Sequence, residues 1–135
     1  NMNLSKKLTY IVTFIVIFGL LPYGIYKFYY KYQDGLYSGL AEYSTYTTPD
    51  GKYTVSLRDT KQFGNEDEVV LKIYLVDNSA NEAHYIAKKR FNTTSGAEVT
   101  YNTDHDDTAY TVEVTFSGSS AELIKIDCLE FKKAE

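Results

Sequence analysis

The residues best placed to do chemistry are Asp104-His105-Asp106-Asp107, where three carboxylates and an imidazole fall within four positions. Hard cations such as Ca²⁺ take oxygen ligands from tight acidic loops, so Asp104, Asp106 and Asp107 are the candidate metal ligands. The same residues suit a hairpin turn, because Asp side chains bond nearby backbone N–H groups, and neither EF-hand spacing nor a distal Glu accompanies them. Glu66-Asp67-Glu68, following Gly64-Asn65, is a second acidic run. It reads as a solvated loop, with a further ligand to the same ion or a contact for a basic partner as the functional alternatives. Lys88-Lys89-Arg90 is the one basic run beyond the N-terminal region. On a strand its members alternate faces, Lys89 opposite Lys88 and Arg90, which splits the patch and favours a solvated or edge-protecting strand.

Nucleophilic catalysis finds little support. Cys128 falls at an inward position after Ile124 and Ile126, the setting of an inert buried thiol. His84 and His105 are the only imidazoles, and the chain has no Gly-x-Ser-x-Gly elbow, phosphate-binding loop or His-Glu-x-x-His. No pair of carboxylates is marked out for hydrolysis, so no catalytic residue and no cofactor are expected, with Ca²⁺ the one ligand ion considered. Tyr43, Tyr46, Tyr101 and Tyr110 offer amphipathic area for a sugar or peptide surface. In a chain without Trp, tyrosine is also the default large core residue.

These groups must be positioned by a chain of 135 residues, enough for one domain or a small domain with an appendage. With 44% apolar and 16% aromatic residues, wholesale disorder is excluded. A single cysteine excludes an internal disulfide and a Cys-based zinc finger. A formal net charge of −4 argues against a nucleic-acid partner, which would need a basic footprint.

Leu8 to Tyr26 runs without a charge and reaches roughly the 30 Å of a bilayer's hydrocarbon core. Lys6 and Lys7 precede it, and Lys27 follows amid Tyr23, Tyr26, Phe28, Tyr29, Tyr30 and Tyr32, the pattern of an aromatic belt with snorkelling lysines. The bulky residues after the apolar core disfavour a signal-peptide cleavage site, and no cysteine lies at the end of the apolar stretch for lipidation, the single one being Cys128. The expected organisation is therefore a cytoplasmic tail over 1–7, a transmembrane helix in contact with lipid over 8–30, a juxtamembrane linker over 31–42 and a soluble domain over 43–135. A short tail with its lysines abutting the span favours an extracytoplasmic domain. Charge divides at the linker, +2 before residue 43 and −6 after it, so the domain is expected to stand off an anionic bilayer.

Beyond Tyr43 the pattern has period two. Tyr53, Val55 and Leu57 alternate with polar neighbours, and Tyr110, Val112, Val114 and Phe116 do so more cleanly. Val69 to Val76 is apolar at most positions, as in a strand covered on both sides. His84 to Phe91 and Glu98 to Tyr101 supply two more. Leu123 to Phe131 reads as a last strand whose apolar phase shifts at Leu129 and Phe131, as a bulge allows. Six to seven short strands separated by turns predict an all-β domain, an antiparallel β-sandwich or partly open barrel, behind an N-terminal transmembrane helix.

The apolar anchor together with Thr48-Pro49-Asp50-Gly51-Lys52-Tyr53 resembles small bacterial membrane-anchored or secreted extracytoplasmic β-domains of unknown function. In those, a Ser/Thr-Pro-Asp/Asn-Gly-Lys-Tyr turn opens the folded part. The resemblance implies a cell-envelope setting and no activity. The expected function is a non-catalytic protein-interaction or accessory module of the envelope with a protein partner there. The alternative is a calcium-assisted domain binding a glycan or peptide.

Overall fold

The computed structural model describes residues 3–62, 66–94 and 96–134. Gly64, Asn65 and Ser95, read as loop residues, lie outside these, as do Asn1, Met2 and Glu135. The chain divides into two units, residues 1–33 and 34–135.

From Leu4 onward the first unit is helical. α1 (Leu4–Ile15) is followed by a π-helical turn, Val16–Leu20, and by α2 (Leu21–Gly35). Asn3 caps α1, its side-chain oxygen accepting from the Lys6 backbone N–H at 2.9 Å. The helix thus starts before Leu8, and Lys6 and Lys7 lie in its first turn. Pro22 explains the π turn: a proline has no N–H to donate and its ring crowds the carbonyl four residues earlier, so the ladder widens just ahead of it. Apolar side chains stand exposed around the helix, Phe14, Phe18, Leu20 and Ile25 among them. Length and composition suffice to cross a membrane. At its far end the Tyr26 ring lies tilted against Tyr30 at 4.8 Å, Tyr29 meets Tyr30 edge-on at 5.6 Å, and the Lys27 ammonium lies 5.6 Å from the Tyr23 ring.

Among the described residues, the second unit holds eight strands in two four-stranded antiparallel sheets. Sheet A is β1 (Ala41–Thr47), β2 (Tyr53–Asp59), β3 (Glu68–Asp77) and β4 (Glu82–Asn92); sheet B is β5 (Glu98–His105), β6 (Tyr110–Ser117), β7 (Glu122–Asp127) and β8 (Lys132–Lys133). In each, spatial order equals chain order. The core forms where the inward faces meet, Val55, Leu57, Leu71, Ile73, Leu75 and Phe91 from sheet A against Val112, Val114, Phe116, Ile124, Ile126 and Cys128 from sheet B. Phe91 and Phe116 touch across the gap with ring centroids 5.1 Å apart. Neither sheet closes on itself, so the domain is a β-sandwich and not a barrel.

Three features differ from the sequence reading. The segment 31–42 is not simply linker: α2 continues to Gly35, a 3₁₀ turn occupies Tyr37–Gly39, and β1 begins at Ala41. Its Gly and Ser content masked the role of Tyr37, whose ring lies 5.1 Å from that of Tyr74 on the outer face of sheet A. Arg58 then lies 4.0 Å above the Tyr37 ring, donating to the Tyr37 hydroxyl, to the Leu40 carbonyl at 3.2 Å and to Ser56 Oγ at 2.8 Å. This cover explains why β3 is buried on both faces, with Tyr74 fully enclosed.

The strand expected over Leu123 to Phe131 stops at Asp127. Asp127 Oδ1 accepts from the backbone N–H groups of Leu129 and Glu130, closing a turn in place of a bulge. Phe131 leaves that turn at φ 53°, an unusual conformation for a bulky residue, with its ring 4.3 Å from His84 and 6.2 Å from Tyr53. Bulges do occur, but in β1 between Glu42 and Ser44 and where Ile73 and Tyr74 of β3 meet β4. The strand count is eight because β1 and the two-residue β8 carried no alternation long enough to read.

Candidate functional site

At one end of the sandwich the β1–β2 turn meets the β5–β6 turn across an open cleft of about 290 Å³, lined by Pro49, Asp50, Thr103, Asp104, His105 and Tyr110. The Thr48-Pro49-Asp50-Gly51 turn is built locally: Pro49 presets φ, and Gly51 adopts φ 76°, which a residue with a Cβ rarely does. Asp50 Oδ1 accepts from Thr48 Oγ1 at 2.8 Å, from the Lys52 backbone N–H at 3.0 Å and from the Tyr110 hydroxyl at 2.7 Å. The last bond fastens sheet A's turn to sheet B. His105 Nε2 lies 3.9 Å from Asp50 Oδ2, and its ring meets Tyr110 edge-on at 4.6 Å.

Electrostatics follow from these bonds. The Tyr110 hydroxyl, then the Lys52 N–H and Thr48, hold the Asp50 carboxyl down at about 2. Burial, with the bond to Asp50 adding to it, pushes the Tyr110 phenol up to about 12. The cleft therefore presents a permanent carboxylate and a neutral phenol across the physiological range.

Of the candidate metal ligands, Asp104 lines this cleft from the end of β5, while Asp106 is committed to its own turn. Asp106 Oδ1 accepts from the Thr108 backbone N–H and hydroxyl, both at 2.8 Å, and from the Ala109 N–H at 3.0 Å. The Thr108 backbone bond is the main reason its carboxyl sits below the usual range. Asp107 is exposed in the same turn. Among the described residues, no three His, Cys, Asp or Glu side chains gather as a ligand set.

Comparison with protein-family models, curated proteins and solved structures finds no match. The site must be read from its own geometry.

The tyrosines offered as a binding surface serve mostly to close the sandwich. Tyr46 and Tyr101 stack with ring centroids 5.0 Å apart and planes 2° from parallel. Their hydroxyls reach the opposite sheet, Tyr46 sharing a 2.6 Å bond with Thr103 and Tyr101 one of 2.6 Å with Ser44. Tyr110 is buried, and Tyr43 stays more exposed, edge-on to Phe91 at 6.4 Å. In the basic run, Lys89 does oppose its neighbours: it pairs with Glu122 at 2.7 Å, whereas Lys88 and Arg90 line a separate shallow cleft of about 400 Å³ with Gln62 and Val70. Glu66 and Asp67 lie exposed in a turn, and Glu68 opens β3. Asp50 was missed as a site residue because its partner Tyr110 is 60 positions away; the turn motif around it was the one available signal.

Proposed function

We propose that the chain is a membrane-anchored, extracytoplasmic β-domain acting as a non-catalytic protein-interaction or accessory module of the bacterial cell envelope. The observation that supports the non-catalytic reading is that the Asp50 carboxylate is already taken up in the fold, accepting from Thr48 Oγ1, the Lys52 N–H and the Tyr110 hydroxyl, and the shifts in the cleft agree with it. A general acid or base works best when its pKa is near the operating pH. Asp50 and Tyr110 are moved the opposite way, one down to about 2 and the other up to about 12. Such a pair is suited to recognition: a fixed negative charge beside an aromatic edge fits a basic or hydrogen-bond-donating partner segment. The apolar helix supports the anchored reading, and confinement near a membrane raises the effective concentration of a neighbouring partner.

Two measurements test this in cells carrying the full chain. An impermeant thiol reagent should label Ser119→Cys without lysis, since Ser119 is exposed and Cys128 is buried; labelling only after lysis overturns the orientation. A photo-crosslinking side chain placed at His105 should give a discrete protein adduct that the same group at Lys125 does not. Equal smears from both positions would reject the cleft as the contact site.

A further inference from the structure

The two sheets end in the strands β1, β4, β5 and β8, and all but one of these edges are blunted. β1 carries a bulge between Glu42 and Ser44, and β8 has only two residues. On β4 the Tyr85 N–H donates to Asp34 Oδ1 at 2.6 Å and the Asn92 N–H to Ser120 Oγ at 2.8 Å, while Lys88-Lys89-Arg90 charges the strand. Bulges, brevity and basic side chains are what keep an exposed edge from pairing with another chain. β5 has none of them. Its eight residues include no Lys, Arg or Pro, and they pair with β6 from Glu98 to His105 without a register shift.

The register fixes which backbone groups β5 turns outward. The Asp106 N–H donates to the Ala109 carbonyl at 2.9 Å, while the Tyr110 carbonyl accepts from the Cys128 N–H at 2.9 Å, away from β5. His105 and Tyr110 therefore exchange no bonds, and by alternation neither do Thr103 and Val112, Tyr101 and Val114, or Val99 and Phe116. The N–H and C=O groups of Val99, Tyr101, Thr103 and His105 point away from β6, where no strand among the described residues meets them. Glu98, Thr100, Asn102 and Asp104 stand exposed on the outer face of this edge, with Glu113 behind Asn102 in register. β5 and β6 carry no Lys or Arg; the bases on that face are Lys125 of β7 and Lys132 of β8. The edge also runs into the cleft, which Asp104 and His105 line beside Asp50.

We infer that β5 is the edge to which an extended, basic segment of a partner protein adds as an antiparallel strand. Its basic side chains lie opposite Glu98 and Asp104, and its end beside Asp104 reaches the cleft. This rests on the interaction-module reading and gives the partner a form. A second copy of the chain fits the edge poorly, because a two-fold axis that extends the sheet centres on one residue. Centring on Tyr101 sets Glu98 against Asp104, and centring on Asn102 sets Glu98 against Asp106, acid against acid in both.

The test uses the full chain in phosphatidylcholine nanodiscs and the synthetic peptide Lys-Val-Thr-Val-Thr-Val-Lys, whose lysines match the spacing of Glu98 and Asp104. At about ten times its dissociation constant the peptide should slow hydrogen exchange of the outward β5 amides about tenfold, leaving β1 and β4 unchanged. N-methylation of its valines, which meet the outward groups of β5, should abolish this protection, and N-methylation of its threonines should spare it. Glutamate in place of its lysines should weaken binding at least about fourfold. No protection of β5, equal loss from the two methylated peptides, or equal binding of the glutamate peptide overturns the proposal. Protection of β5 that grows with chain concentration and needs no peptide assigns the edge to a second copy and overturns the partner assignment. Absence of a discrete adduct at His105 in cells would instead defeat the interaction reading, independently of peptide binding.

Discussion

Cys128 allows the packing to be tested with one reagent, because it is the only thiol in the chain and is fully buried. Alkylation needs the thiolate. Burial first, and then the Asp127 and Asp50 carboxylates, push this thiol from an ordinary 9 up to about 12. At pH 8 the thiolate fraction falls from about one in ten to about one in ten thousand, roughly a thousandfold. Reaction through global opening is the competing route. For a domain of this size a stability of about 5 kcal/mol, the low end of the usual range, keeps the open population near one in five thousand. Native labelling with iodoacetamide, followed by mass spectrometry, should therefore run at least about a thousandfold slower than in urea. Replacement by Ala should cost about 1–2 kcal/mol in urea unfolding, for the cavity it leaves. Native labelling within tenfold of the urea control, or a disulfide-linked dimer on a non-reducing gel, would refute the inward assignment and everything inferred from the phase of β7.

Acid should unfold the domain through its depressed carboxyls: Asp50, Asp77, Asp106 and Glu122 are all held low by hydrogen bonds, so the unfolded chain binds more protons as pH falls. Their stabilisation is present above about pH 4.5 and is lost as pH drops toward 2, which a series of Tm values against pH will show, with Asp50→Asn flattening the slope. At the alkaline end, Tyr110 and Cys128 stay protonated in the fold beyond the pH at which the unfolded chain releases those protons, so Tm should fall again above about pH 9. Ile126→Ala should cost about 2–5 kcal/mol in urea unfolding, since that side chain is enclosed between the sheets. Gly118→Ala should cost more than about 1 kcal/mol, because φ is 104° and a new Cβ would sit 3.2 Å from the Ala97 Cα.

Legibility in the sequence followed the range of the interactions. β6 could be read residue by residue, because Tyr110 to Ser117 alternates buried and partly exposed positions without a break. The helix was equally plain, an apolar run needing no partner to be recognised. β1 was hidden because Ala41–Thr47 has no apolar alternation; it is fixed by pairing with β2 and by the Tyr46–Tyr101 stack, whose members lie 55 positions apart. The turn ending β7 was hidden because Leu129 and Phe131 mimic a shifted strand, while the deciding bonds are those Asp127 accepts from the backbone. For the site, Asp104-His105 was visible as a cluster, but the Asp50–Tyr110 bond exists only once the two sheets are packed together. Spacing along a chain reports faces of one element, and it says nothing of which faces become neighbours.

The sequential strand order has a consequence in time. Each sheet is a meander whose strands pair only with their neighbours in sequence, so sheet A can form as soon as β4 has been synthesised. Its inward face, Val55, Leu57, Leu71, Ile73, Leu75 and Phe91, has no cover until β5 to β8 follow. At ordinary elongation rates those roughly 40 residues take about 2 to 8 seconds to make. During that interval the nascent chain carries a finished sheet with one oily side turned to water, the condition under which chaperones bind and neighbouring chains stick. Slowing translation after Asn92 should lower the yield of folded protein more than slowing it before Tyr53.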